Sequence, residues 1–98
     1  RKVSESYSVK SFLTCNDSER VSVAVSEGAN YNETTKNSSD RVYYVLGGEL
    51  TINDSLKAGK GDLVFISGGT EYNFKGTFKA VLINSPAFNK ENEETRKA

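Results

Sequence analysis

Hydrophobic residues in this chain come in short stretches, each closed by a polar turn. In "VSVAVS" (21–26) apolar and polar residues alternate strictly, which puts Val21, Val23 and Val25 on one face of a strand. "RVYYVLGGELTI" (41–52) sets Arg41, Tyr43 and Val45 on one face and contains a Gly47-Gly48 pair, the mark of a bulge or a corner inside a strand. "NDS" (53–55) has the chemistry of a reversal, with a short return strand from Leu56, and "KAGKGD" (57–62) turns again. "LVFI" (63–66) is continuously apolar, the pattern of a strand buried on both faces. "SGGT" (67–70) is the next turn, "EYNF" (71–74) returns with Tyr72 and Phe74 on one face, and "KAVLINS" (79–85) closes the set.

Short strands with frequent turn signals predict an all-β fold, a single small antiparallel β-barrel or jelly roll over residues 1–88. The most polar stretch, 30–40, reads as a loop at the barrel mouth. In the tail, 89–98, Asn89 can cap, acidic residues come first, and Arg96 and Lys97 come last, which suits a helix dipole. It has no apolar face, so it reads as a short C-terminal helix or a disordered end.

Two spacings overlie this pattern. Gly28 is followed by Thr34, Lys36, Arg41 and Gly48, and Gly61 by Ser67, Gly69, Tyr72 and Gly76. These intervals, with "GDLVFI", a turn, "GT" and a polar-aromatic strand, resemble the two signature motifs of the cupin superfamily, of the small RmlC-like jelly-roll type. Ser67 stands where the family has Pro, Gly76 where it has Asn, and the segment between Gly48 and Gly61 is short. A one-residue slip before Arg41 would move the second position from Lys36 to Asn37.

The resemblance places the family's metal ligands, three His and one Glu, at Thr34, Lys36, Arg41 and Tyr72. None of those side chains is an imidazole, carboxylate or thiolate, and the chain has no histidine at all. The expectation is therefore no metal and no cofactor, and neither metal-dependent chemistry nor the histidine base of the metal-free sugar epimerases. If the positions point inward as the family ligands do, Lys36 and Arg41 supply cationic donors, Thr34 a hydroxyl, and Tyr43 and Tyr72 phenols. Such a set suits an anionic or carbohydrate-like small molecule. Against this, Lys36 in a polar stretch is more readily a solvated side chain than a ligand, Arg41 can pair outside the barrel, and Tyr43 is a strand-favoured packing residue.

Composition narrows the alternatives. Ninety-eight residues allow one modest core, and thirteen basic against thirteen acidic residues give no electrostatic case for nucleic acid. No apolar run is long enough for a membrane span, and a lone Cys15 with no internal disulfide partner favours a reducing, cytoplasmic setting. The first expectation is a small-molecule binding module rather than an enzyme, with a homodimer implied by the resemblance. The others are a structural or dimerisation barrel with a plugged pocket, and a metal-independent isomerase-like or lyase-like enzyme using Tyr72 or Lys36.

Overall fold

The computed structural model describes residues 2–4, 7–87 and 93–97. Within them the chain forms β1 (Lys2–Ser4), β2 (Tyr7–Leu13), β3 (Ser22–Asn37), β4 (Asp40–Ile52), β5 (Leu56–Gly59), β6 (Leu63–Ile66), β7 (Glu71–Ser85) and β8 (Glu93–Lys97). The architecture is all-β and antiparallel, with strand order β1-β2-β3-β7-β4-β5; β6 joins β4 and β8 joins β3. Among the described residues no helix is long and apolar enough to cross a membrane.

Three long strands organise the barrel. β7 lies between β3 and β4, pairing with β3 over Glu71–Asn84 and with β4 over Phe74–Ser85. Midway all three bend: register shifts fall between Gly28 and Tyr31, facing Gly76–Phe78, and between Val45 and Gly47, facing Lys79 and Ala80. Gly48 and Gly76 carry the corner. Their φ angles are +77° and +132°, and a Cβ would sit 2.1 Å from the Thr77 carbonyl oxygen and 2.2 Å from that of Glu49. Each long strand thus contributes one arm to each of two facing walls. The first wall holds β2, the early part of β3, the later part of β7, the early part of β4, and β6. The second holds β8, the later part of β3, the early part of β7, the later part of β4, and β5.

Phe74 sits at the centre of the core, 1% exposed. The rings of Tyr7, Tyr31, Tyr43, Tyr72 and Phe78 surround it at centroid distances of 5.7 to 6.2 Å. Tyr7 and Tyr31 stack at 4.6 Å. As alternation predicts, Tyr43 and Val45 are buried on β4, and Tyr72 and Phe74 on β7.

Several expectations change. Residues 31–37 are strand rather than loop, because their alternate side chains Tyr31, Glu33, Thr35 and Asn37 are all buried and share the ladder with β7. "EYNF" and "KAVLINS" are one continuous strand through Gly76. Residues 93–97 are extended and pair with β3 instead of forming a helix; lacking an apolar face, they gain more from the open backbone edge of that strand. Residues 89–92 and 98 of the tail, and the boundary set at 88, lie outside the described residues. "LVFI" is buried on one face only: Val64 and Ile66 point in, while Leu63 and Phe65 are 63% and 60% exposed.

Candidate functional site

Both arms of each bent strand run to the same open end, so the last residues of β3, the first of β4 and both ends of β7 come together there. Arg41 enters this space from the first wall and is buried, as are Asn84 beside it on β7 and Tyr72 from the second wall. Arg41 Nε donates to Asn84 Oδ1 at 2.6 Å, and Nη1 donates to the Tyr72 hydroxyl at 2.9 Å. The Tyr72 and Tyr43 hydroxyls are 2.7 Å apart. A buried guanidinium needs such partners, since an unpaired cation in a low-dielectric interior is strongly destabilising. Asp40, the neighbour that could have drawn Arg41 outward, instead accepts the Gly68 amide at 2.7 Å.

The opposite charge comes from β3. Glu33 is buried, and its Oε1 accepts the Tyr31 hydroxyl at 2.5 Å. Thr35 pairs in register with Tyr72, and Asn37 lies one inward step further along. Asn37 Oδ1 accepts the Ser39 amide at 2.8 Å, while its buried Nδ2 has no partner among the described residues. Burial pushes the Tyr43 phenol well above its ordinary range, and the neighbouring Tyr72 adds to the shift. Burial also raises the Tyr7 phenol, with the Ser26 hydroxyl working against it. Ser26 Oγ is wholly buried and faces that phenol without completing a hydrogen bond of normal geometry.

Of the residues the sequence nominates, Arg41, Tyr43 and Tyr72 are brought together by direct contacts. Thr34 and Lys36 are not. Thr34 lies on the outer face of β3 in a polar cluster, where Asn73 Nδ2 donates to Asn32 Oδ1 at 2.7 Å and to Thr34 Oγ1 at 3.3 Å. Lys36 is exposed on that same outer face. The cause is the register shift between Gly28 and Tyr31, with Asn30 at a φ of +52°. Even-numbered residues Ser22, Ser26 and Gly28 point in before it; odd-numbered Tyr31, Glu33, Thr35 and Asn37 point in after it. One extra residue flips every later side chain to the opposite face. Glu33, Thr35, Asn37 and Asn84 are therefore inward residues that the motif spacing passes over. Plain alternation could have found them, from Tyr31 onward and through Ala80, Leu82 and Asn84.

The donor set does not suit a divalent metal. The inward residues nearest the family's ligand positions are Thr35, Asn37, Arg41 and Tyr72, and the guanidinium already holds the phenol oxygen. Among the described residues no group of three or more His, Cys, Asp or Glu is placed to hold a metal ion.

No protein-family model matches the chain, and no curated protein matches it. Solved structures do. A variant of Streptomyces PAC13 with uridine is 25% identical, over 81% of this chain and 70% of that one, with a TM-score of 0.69. A further PAC13 structure, described as a unique nucleoside dehydratase, is 21% identical over 97% and 92%, with a TM-score of 0.70. Ectoine synthase from P. lautus superposes at a TM-score of 0.79, with 14% identity over 97% and 79% of the two chains. A putative ethanolamine utilization protein Q from Salmonella typhimurium LT2 gives 0.74, with 23% identity over 84% and 71%. The chain has the small RmlC-like cupin jelly-roll fold.

Proposed function

We infer that the barrel mouth binds a small, uncharged, hydroxyl-rich molecule such as a sugar or nucleoside. The observation that carries this reading is Asn37 Nδ2, a buried amide donor with no hydrogen-bond partner among the described residues. Leaving such a donor unmade costs about 1–3 kcal/mol, a cost that a ligand oxygen relieves. Charge favours the neutral branch of the anionic-or-carbohydrate expectation. Lys36 faces outward while Glu33 is buried with Arg41, so among the described residues the interior holds one acid and one base rather than two cations. Recognition of a neutral polyol by a mixture of amide, phenol, guanidinium and carboxylate is consistent with that balance. The solved PAC13 structure contains uridine, a neutral sugar-bearing ligand, in the same fold. The exposed free thiol of Cys15 is in keeping with a reducing compartment.

The test is thermal unfolding against a panel of nucleosides, neutral sugars and sugar acids. Stabilisation by a neutral hydroxyl-bearing compound, lost in Asn37→Ala and kept in Lys36→Ala, is the expected result. Preference for sugar acids would reinstate the anionic branch. No stabilisation by any member would leave the barrel as a structural module.

A further inference from the structure

β3 differs from the strand beside it in what it turns inward. Its first arm presents Ser22, Ala24 and Ser26 to the barrel interior, and its second arm presents Glu33, Thr35 and Asn37, all small or polar. Next to it β7 turns in Tyr72, Phe74, Phe78 and Leu82, with Ala80, in register with Ser26, the small exception. One flank of the interior, along β3, is therefore lined by short side chains while the rest is filled by rings. Ala24 points inward yet is only half-buried, so this flank is not packed shut.

Two buried polar atoms on the flank have no hydrogen-bond partner among the described residues, and they lie at its opposite ends. Asn37 Nδ2 is at the mouth and Ser26 Oγ is close to the bend. The floor lies just beyond Ser26, where a Cβ on Gly28 would come within 2.7 Å of the Phe78 ring. Ser22 at the mouth and Ser26 are four residues of strand apart, roughly 13 Å. At the deep end the Ser26 hydroxyl and the Tyr7 phenol face each other without a bond of normal geometry, a gap that one bridging hydroxyl, donor and acceptor at once, can close. Burial keeps that phenol protonated, so it meets such a hydroxyl as a neutral partner.

We propose that the ligand is an acyclic polyol lying along β3, with one terminal hydroxyl on Asn37 and the other on the Ser26–Tyr7 pair; this rests on the reading of the mouth as a site for a neutral, hydroxyl-rich molecule. Length follows from the separation of the two unpartnered atoms. A chain fits better than a ring because the room on this flank is only what Ala24 and Ser26 lack beside Leu82 and Val9, their partners in register. Between the two ends the second arm offers the Thr35 hydroxyl and the Glu33 carboxyl.

Titration calorimetry at millimolar ligand, below the range in which polyols stabilise proteins by exclusion, compares glycerol, xylitol and sorbitol with glucose and uridine. Affinity is expected to rise from glycerol to sorbitol. Ser26→Ala is expected to lower sorbitol affinity about five-fold, the equivalent of one neutral hydrogen bond, and to leave glycerol unchanged. Ala24→Leu, filling the middle of the flank at a half-buried position, is expected to abolish the gain with length. Ser26→Ala removes an unpartnered hydroxyl, so its ligand-free Tm should not fall. Saturation-transfer NMR of the wild type needs no variant: both terminal carbons of sorbitol should receive saturation, and saturation confined to one end overturns the inference. Sorbitol binding indifferent to both substitutions, or glucose or uridine bound more tightly than sorbitol, overturns it too and leaves the neutral-ligand site standing. Silence from the polyols, with a sugar or nucleoside of the wider panel still stabilising the protein, does the same. Silence from every compound overturns both readings.

Discussion

Replacing Tyr72 by Phe removes one oxygen and keeps the ring that packs 6.0 Å from Phe74. That oxygen accepts from Arg41 Nη1 at 2.9 Å and lies 2.7 Å from the Tyr43 hydroxyl. All three residues are at most 3% exposed, so bulk water does not replace what is lost. A hydrogen bond to a charged group is worth about 1.5–3 kcal/mol and one between neutral groups about 1. Tyr72→Phe is therefore expected to cost roughly 2–4 kcal/mol. Tyr43→Phe breaks only the neutral contact and is expected to cost roughly 1 kcal/mol. In the double variant the shared contact is lost once, giving a coupling energy on the order of 1 kcal/mol. Urea unfolding at neutral pH measures all three, with the slope against denaturant unchanged if the unfolded state is unaltered. In a domain of this size the Tyr72→Phe loss corresponds to a fall in Tm on the order of 10–20 °C. A Tyr72→Phe protein within about 0.5 kcal/mol of wild type, or strict additivity in the double variant, would refute the buried relay from Arg41 to Tyr43.

Gly76→Ala should destabilise by more than about 1 kcal/mol, since it forces a side chain into a positive φ against the Glu49 carbonyl, whereas Gly47→Ala, with no atom within 4 Å, should be nearly neutral in the same denaturation assay. Phe74→Leu removes the ring that five others contact and should cost about 1–3 kcal/mol, lowering the urea midpoint without loss of the β-sheet circular dichroism. Tyr7 and Tyr43 are held above their ordinary value of 10.0 in the folded chain, so the unfolded chain releases their protons first. Stability from this source is full below pH 10 and falls as pH rises beyond it; an ultraviolet titration should show both phenols ionising only together with unfolding.

Much of the fold was legible because the strand signals are local. Tyr43, Val45, Tyr72 and Phe74 point inward as alternation requires, and the Gly47-Gly48 pair marks the corner. Contacts among the nominated residues follow alternation only where no irregularity intervenes: Arg41 and Tyr43 on β4 and Tyr72 on β7 do not depend on the shift in β3 and touch one another. Thr34 and Lys36 were displaced by the extra residue near Asn30, whose positive φ no sequence count announces. The tail misled for a different reason. Its charges favour a helix, and the open edge of β3 that it meets is a property of the folded barrel.

The continuity of β3, β4 and β7 through both walls also dictates an order of assembly. β4 and β7 are close neighbours in sequence where Ile52 meets Phe74, so that ladder can nucleate early. The early part of β3 must wait for its β7 partner, because Ser22 meets Asn84, 62 residues on. Loop-closure entropy over so long a span slows this last pairing, and a ribosome must have passed Asn84 before it can occur. Until then β3 has only the hairpin with β2 along its early part, its β7-side edge stays open, and the chain is at its most exposed to aggregation in that interval.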